Sequence, residues 1–188
     1  MHTTMTPLLL ALAAAALAGP ALAQQVLPAQ SEIAFVSRQM GVPVEGKFKQ
    51  WAAQIAFDPK NPVAGKVGFT IQTGSASFGS PETDAEVPKA PWFNVAKFPT
   101  ASFASSAIKA LGGGRFDVTG TLSIKGNAQP VVVPVTVTQA GGTSTASGSF
   151  TIKRLDFKIG EGEWTDTSMV ANDVTVKFKL ALSGMAPL

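Results

Sequence analysis

Apolar and polar residues alternate with a period of two along most of this chain, the pattern of half-buried β-strands. In Lys66–Phe78, Val67, Phe69 and Ile71 alternate with Gly68, Thr70 and Gln72. Asp173–Leu182 is the cleanest case: Val174, Val176, Phe178, Leu180 and Leu182 oppose Thr175, Lys177, Lys179 and Ala181. Ser31–Arg38 sets Ile33 and Phe35 on one face. Val44–Asp58 reads as one long strand that ends in the turn Asp58-Pro59-Lys60-Asn61-Pro62. Ala101–Ile108 alternates less regularly. In Arg115–Ile124, Phe116 and Val118 share a face, as do Leu122 and Ile124, with Gly120 at an expected bend. Lys125–Pro130 turns the chain into Val131–Thr138, where Val131, Val133, Val135 and Val137 lie on one side. Pro134 has no N–H to give a ladder, so that strand is at an edge or bulged there. Gly112-Gly113-Gly114 and Gly141-Gly142 are turns, and Ser144–Arg154 points Phe150 and Ile152 inward.

One segment predicts a helix, Pro81–Lys89. Ser80 serves as N-cap, Pro81 takes the first helical position, and Glu82 and Asp84 fall in the first turn. Pro88 and Pro91 stop it, and Ala90–Phe98 is an irregular connection carrying Trp92, Phe93 and Phe98. Eight strands with short turns predict an all-β domain, an antiparallel barrel or a sandwich. The barrel is preferred because the first and last strands both carry one-sided apolar faces, and joining them removes two exposed edges. An eight-stranded barrel has an interior that side chains can fill or that holds one small ligand. Gln24–Gln30 reads as a short leader into the first strand.

Met1–Ala23 reads as an export signal: Pro7–Gly19 is an apolar run and Ala21-Leu22-Ala23 offers small residues to a signal peptidase. Cleavage after Ala23 would start the mature chain at Gln24, one domain over residues 24–188 in the periplasm. The only histidine, His2, leaves with the signal, and the chain has no Cys or Tyr. Thiol chemistry, Cys-ligated metals and His-dependent triads are therefore excluded from the mature domain. Fifteen Lys and Arg against 12 Asp and Glu leave a net charge of +3. The charges are sparse and mixed, with no basic run interleaved with aromatics, so nucleic acid is not an expected partner.

Three sets of side chains are candidates for function. Phe35, Phe48, Phe57, Phe69, Phe103, Phe116, Phe150 and Phe178 sit in strand windows and make either a packed core or the wall of an apolar tunnel. In Lys153-Arg154-Leu155-Asp156-Phe157-Lys158-Ile159-Gly160, Arg154 and Asp156 share a face if the stretch is extended. They make either a surface ion pair or a pair orienting a headgroup at a barrel mouth. The carboxylates Glu82, Asp84, Glu86, Glu161, Glu163, Asp166 and Asp173 read as a solvated face, without a calcium-loop pattern. No nucleophile-elbow, zincin, Walker or Rossmann pattern is present, and Gly112-Gly113-Gly114 precedes a strand rather than a helix.

Five blocks in order carry a family resemblance: Ser31–Phe35; Val44–Phe48 with Ile55–Pro59; Trp92–Pro99 ahead of Thr100–Phe103; Gly120–Gly126 with Pro130; and Arg154–Gly160. The chain resembles the YceI-like family of periplasmic polyisoprenoid-binding proteins, lipocalin-like barrels. Many members carry an Arg-Asp-x-His-Leu block where this chain has Thr83-Asp84-Ala85-Glu86-Val87, so only Asp84 carries over. Lys158 stands where glycine is common. The resemblance implies a non-enzymatic carrier of an isoprenoid amphiphile, a quinone or polyprenyl lipid, with no cofactor required and no metal. Phe35, Phe69, Ile71, Phe103, Phe116, Phe150 and Phe178 are expected to touch the tail, and Asp84, Arg154, Asp156 and Trp164 to form the mouth. Two alternatives stay open. One is a filled barrel docking on a membrane redox protein of the cytochrome b561 type through Trp92, Trp164 or the Lys177/Lys179 face. The other is a carboxylate-dependent hydrolase. Self-pairing into a homodimer through an edge strand is a further expectation.

Overall fold

The computed structural model describes residues 23–188. The expected export signal lies outside the described residues, apart from Ala23. The strands are β1 (Ala23–Val26), β2 (Glu32–Gln39), β3 (Val42–Phe48), β4 (Trp51–Ala56), β5 (Lys66–Gln72), β6 (Ala76–Ser77), β7 (Thr100–Gly112), β8 (Arg115–Ile124), β9 (Asn127–Ala140), β10 (Thr143–Lys153) and β11 (Asp173–Ser183). They form one antiparallel sheet, and β1 bridges β4 and β11 to close it. Three strands of the barrel are interrupted. β1 and β2 flank a 3-10 turn at Pro28–Gln30, β3 and β4 flank Lys49-Gln50, and β5 and β6 flank a 3-10 turn at Thr73–Ser75. Counting each interrupted strand once gives the expected closed barrel of eight, each strand paired with its neighbour in sequence.

Two local expectations are corrected. Gln24–Gln30 is not a leader, because Ala23–Val26 supplies the strand that completes the ring. Gln24 is buried and its Oε1 accepts the Phe57 N–H at 2.8 Å. Val44–Asp58 is not continuous, because the Lys49 N–H turns to the Ser75 carbonyl and the Gln50 N–H to the Ser75 hydroxyl. The irregular alternation near Ala101–Ile108 also has a cause. A bulge between Ser105 and Ala107 adds one residue, so Ala101 and Phe103 face inward at odd numbers while Ile108 does so at an even one.

Pro134 marks a real boundary. The β9–β10 ladder stops at Thr136↔Ser147, and β9 runs on toward Asn127 paired only with β8. The Pro134 carbonyl lies against Gly148 on the β10 side, so the missing N–H falls on the open edge of β9. The helix α1 spans Pro81–Glu86, with Ser80 as the expected N-cap accepting from the Thr83 N–H. It is shorter than Pro81–Lys89, because Pro88 and Pro91 force turns through Lys97.

The core is a sleeve rather than a plug. Ile55, Phe57, Ile108, Phe116, Val118, Leu180 and Leu182 pack at one end, with Phe57 edge-on to Phe116 at 5.0 Å. Ala101, Leu122, Ile124, Ile152 and Phe157 form a second group, and Phe35, Ala76 and Val87 a third beneath α1. At the first end Met185 packs against the core, while the Gln139 side chain donates to the Ala186 carbonyl and accepts the Leu188 N–H.

Candidate functional site

The inward faces of the strands enclose a cavity of about 500 Å³. That is within the range of about 300–1,000 Å³ found for small-molecule sites. A physical device keeps the axis open. Phe35 pairs with Gly46 and Phe178 with Gly148 across adjacent strands, and Phe103 lies over Gly120 beyond its own partner. At each glycine an added Cβ would fall within 2.6 Å of the ring. The rings therefore fold flat onto neighbouring glycines instead of crossing the interior. Gly120, read from sequence as a bend, is such a seat.

The cavity is polarised. Along most of its length the lining is aliphatic and aromatic. Its polar side chains are Ser37, Gln39, Glu82, Thr83, Glu86 and Arg154. These come from the end of β2, from α1 and from the segment after β10, which meet at one end of the barrel. There the Met40 N–H donates to the Met169 carbonyl and the Ala171 N–H to the Arg38 carbonyl. Trp92 and Trp164 lie against each other at 5.3 Å and both line the cavity, as do Met40 and Met169. Lys177 and Lys179 stand exposed on the outer face of β11.

All seven expected tail-contact residues line the cavity: Phe35, Phe69, Ile71, Phe103, Phe116, Phe150 and Phe178. Trp164 lines it as well. The other expected mouth residues are placed differently. Residues 154–157 form a 3-10 turn rather than an extended strand, so Arg154 and Asp156 do not share a face. Asp156 is exposed and outside the lining. Arg154 touches the cavity, but its guanidinium has no donor to spare. It is 2% exposed and gives Nε to Ala171, Nη1 to Ile159 and Gly160, and Nη2 to Trp164 and Val170, all backbone carbonyls at 2.6–3.2 Å. Burial pushes its pKa down, yet the ordinary value is so high that it stays charged. Asp84 is turned inward to the fold. Its carboxylate accepts the Phe78 N–H at 2.6 Å and the Ser77 hydroxyl at 2.9 Å. The bond from Phe78, then that from Ser77, and the nearby Lys49 charge hold its pKa below the ordinary value.

Sequence reasoning missed a second buried cation. Lys125 is 6% exposed, and its ammonium donates to the Ala90 and Lys158 carbonyls and to Glu161 at 2.7–2.8 Å. With Arg154 it ties the segments 90–91 and 158–171 over this end of the barrel. Glu161 is held below the ordinary carboxylate range by the Lys125 hydrogen bond and charge. Nothing in a lone Lys before Gly126 announces burial. Glu82 and Glu86, read as a solvated face, are exposed but also line the mouth.

Comparison with known proteins agrees with this architecture. The family model described as YceI-like domain matches residues 25–182. A UPF0312 protein of Ectopseudomonas mendocina is 36% identical over 120 residues, covering 61% of this chain and 63% of that protein. One of Azotobacter vinelandii is 39% identical over 88 residues, covering 47% and 46%. The match thus spans about half to three fifths of these relatives' length. Among solved structures, Burkholderia cenocepacia BcnA superposes with a TM-score of 0.81 at 45% identity, covering 84% of this chain and 99% of that one. A polyisoprenoid binding domain from Saccharophagus degradans gives 0.69 at 19% identity, over 90% of this chain and 100% of that one, a likeness of fold.

Proposed function

The chain belongs to the YceI-like domain family, and from that premise we propose that it is a periplasmic binding protein carrying one isoprenoid-type amphiphile, a quinone or polyprenyl lipid, inside its barrel. The observation that carries the reading is the cavity: apolar along its length and polar only at one end. Such a site suits a molecule with a long hydrocarbon tail and a small headgroup. The Saccharophagus domain of the same fold is described as polyisoprenoid binding, which points the same way. Each CH₂ taken from water contributes roughly 0.8 kcal/mol, so a few isoprene units offset the cost of association. The reading is of a binder rather than an enzyme: residues 24–188 contain no histidine or cysteine, and Arg154, the one cation among the lining side chains, is spent on backbone carbonyls. Met1–Ala23 is the export signal in this proposal, and osmotic-shock fractionation tests it.

Native mass spectrometry of protein purified from the periplasm, followed by organic extraction, tests the ligand. The expected result is an amphiphile with an isoprenoid tail bound near one to one. Phe150→Asp places a carboxylate on the cavity wall and is expected to weaken uptake by at least about tenfold. A folded Phe150→Asp variant with full lipid uptake would overturn the assignment.

A further inference from the structure

At the apolar end of the cavity, two lining side chains stand beyond the strands, Phe57 after β4 and Met185 after β11. Phe57 is locked in place: it is buried, its ring meets Phe116 edge-on at 5.0 Å, and its N–H donates to Gln24. Met185 is half-buried and held differently. Gly184, at a φ of +80°, turns the chain off β11, a backbone state that glycine adopts without steric cost. Residues 185–188 then run from β11 past the end of β10 to β9, since β10 lies between those two strands. Gln139 of β9 fastens them there. Its Nε2 donates to the Ala186 carbonyl at 2.8 Å, and its Oε1 accepts the Leu188 N–H at 3.0 Å. The Ser144 hydroxyl accepts from the same Nε2 at 3.1 Å and orients the amide. A Leu188 methyl lies 3.5 Å from where a Cβ on Gly114 would stand. The polar lining side chains are all at the opposite end of the barrel.

We propose that residues 185–188 are a latched floor and that Met185 sets the longest isoprenoid tail the barrel holds. This rests on the lipid-carrier reading and adds a specificity-determining residue to it. A headgroup at the polar mouth directs the far end of its tail toward Met185. An isoprene unit that fits above the floor takes its surface out of water and tightens binding by at least about tenfold. A unit beyond the limit stays in water or displaces the floor, and adds less than about twofold. The unbranched thioether adapts to the tail end that meets it, and the Gln139 amide holds the segment that carries it.

The experiment is a competition read by native mass spectrometry. The protein meets all-trans prenols that lengthen by one isoprene unit at a time from geraniol to solanesol, delivered from one detergent, and occupancy is compared with that of farnesol. Affinity is expected to rise with tail length and then level off at a limit. Met185→Ala and Gln139→Ala should move that limit to longer tails, and Met185→Trp should move it to shorter ones. Loss of packing alone would weaken every length alike, so opposite shifts from the two Met185 variants separate a floor from a merely stabilising contact; urea midpoints confirm that each variant is folded. Affinity that keeps rising by about tenfold per unit through solanesol overturns the floor and leaves the carrier reading intact. A limit that stays in place in both Met185 variants does the same. Binding of no prenol by the folded, unmodified protein overturns the carrier reading itself and the inference with it.

Discussion

Arg154 and Lys125 are cations spent on the backbone. Their sites show why charge type alone does not identify a headgroup site. A guanidinium has five N–H donors in a fixed fork, and here the fork fixes the path of residues 159–171 by gripping carbonyls at both ends of that loop. Arg154→Met strands those carbonyls and is expected to cost roughly 4 kcal/mol. Arg154→Lys, with three donors and no fork, is expected to cost about half as much. Urea midpoints with an unchanged slope check both values, and a loss below about 1 kcal/mol for Arg154→Met would contradict the role. The Lys125–Glu161 pair predicts a pH dependence. The folded pKa of Glu161 is depressed below its ordinary value of 4.5 by Lys125. Its contribution is therefore fully present above about 4.5 and disappears as pH falls through the folded value. Glu161→Gln should lower the urea midpoint at neutral pH, and the gap from the unmodified protein should close as the pH falls below 4.5 and through the depressed folded value. A gap that is constant from neutral to acid pH would remove Glu161 from the acid response.

At the scale of single elements, the strands were legible where side-chain alternation is strong and obscure where the backbone departs from the ladder. β8 falls on Arg115–Ile124, as the periodicity predicts, and β11 extends the expected run only to Ser183. The breaks at Pro28–Gln30, Lys49-Gln50 and Thr73–Ser75 left no mark in hydrophobicity, since they are made by hydrogen bonds such as those of Ser75 and Thr73 across the sheet. The cavity-lining phenylalanines were legible because inward residues of a strand share parity. The mouth was not, because a 3-10 turn rotates Arg154 away from Asp156 and the Phe78 N–H and Ser77 hydroxyl draw Asp84 inward. The paired phenylalanine and glycine positions yield a test. At Gly46 an added Cβ would lie 2.4 Å from the Phe35 ring, with only a marginal approach to backbone at 3.1 Å from the Ser77 carbonyl. Gly46→Ala should therefore swing the Phe35 ring into the cavity, costing about 1–3 kcal/mol. Lipid uptake should fall as the cavity volume does. A variant that keeps both stability and uptake would mean that the ring has another seat.

The molecule as a whole trades packing for a cavity. Interiors normally fill space to crystal-like density, whereas the strands here give their inner faces to about 500 Å³ of unfilled volume. Phe69, Phe103, Phe150 and Phe178 remain only partly buried because they border it. On the proposed function, a tail held in that space adds contacts to the folded state alone, which links ligand binding to folding. At a free ligand concentration about 100 times Kd the linkage contributes about 2.7 kcal/mol. For a domain of this size that raises Tm by roughly 5–10 °C. Thermal unfolding followed against increasing geranylgeraniol should show Tm climbing with the logarithm of concentration above Kd, with no plateau at one-to-one occupancy. Phe150→Asp, which puts a charge on the cavity wall, should flatten the climb. A Tm that stays fixed while mass spectrometry records a bound lipid would put that lipid on the outer surface or on the unfolded chain as well, and would separate the cavity from the binding.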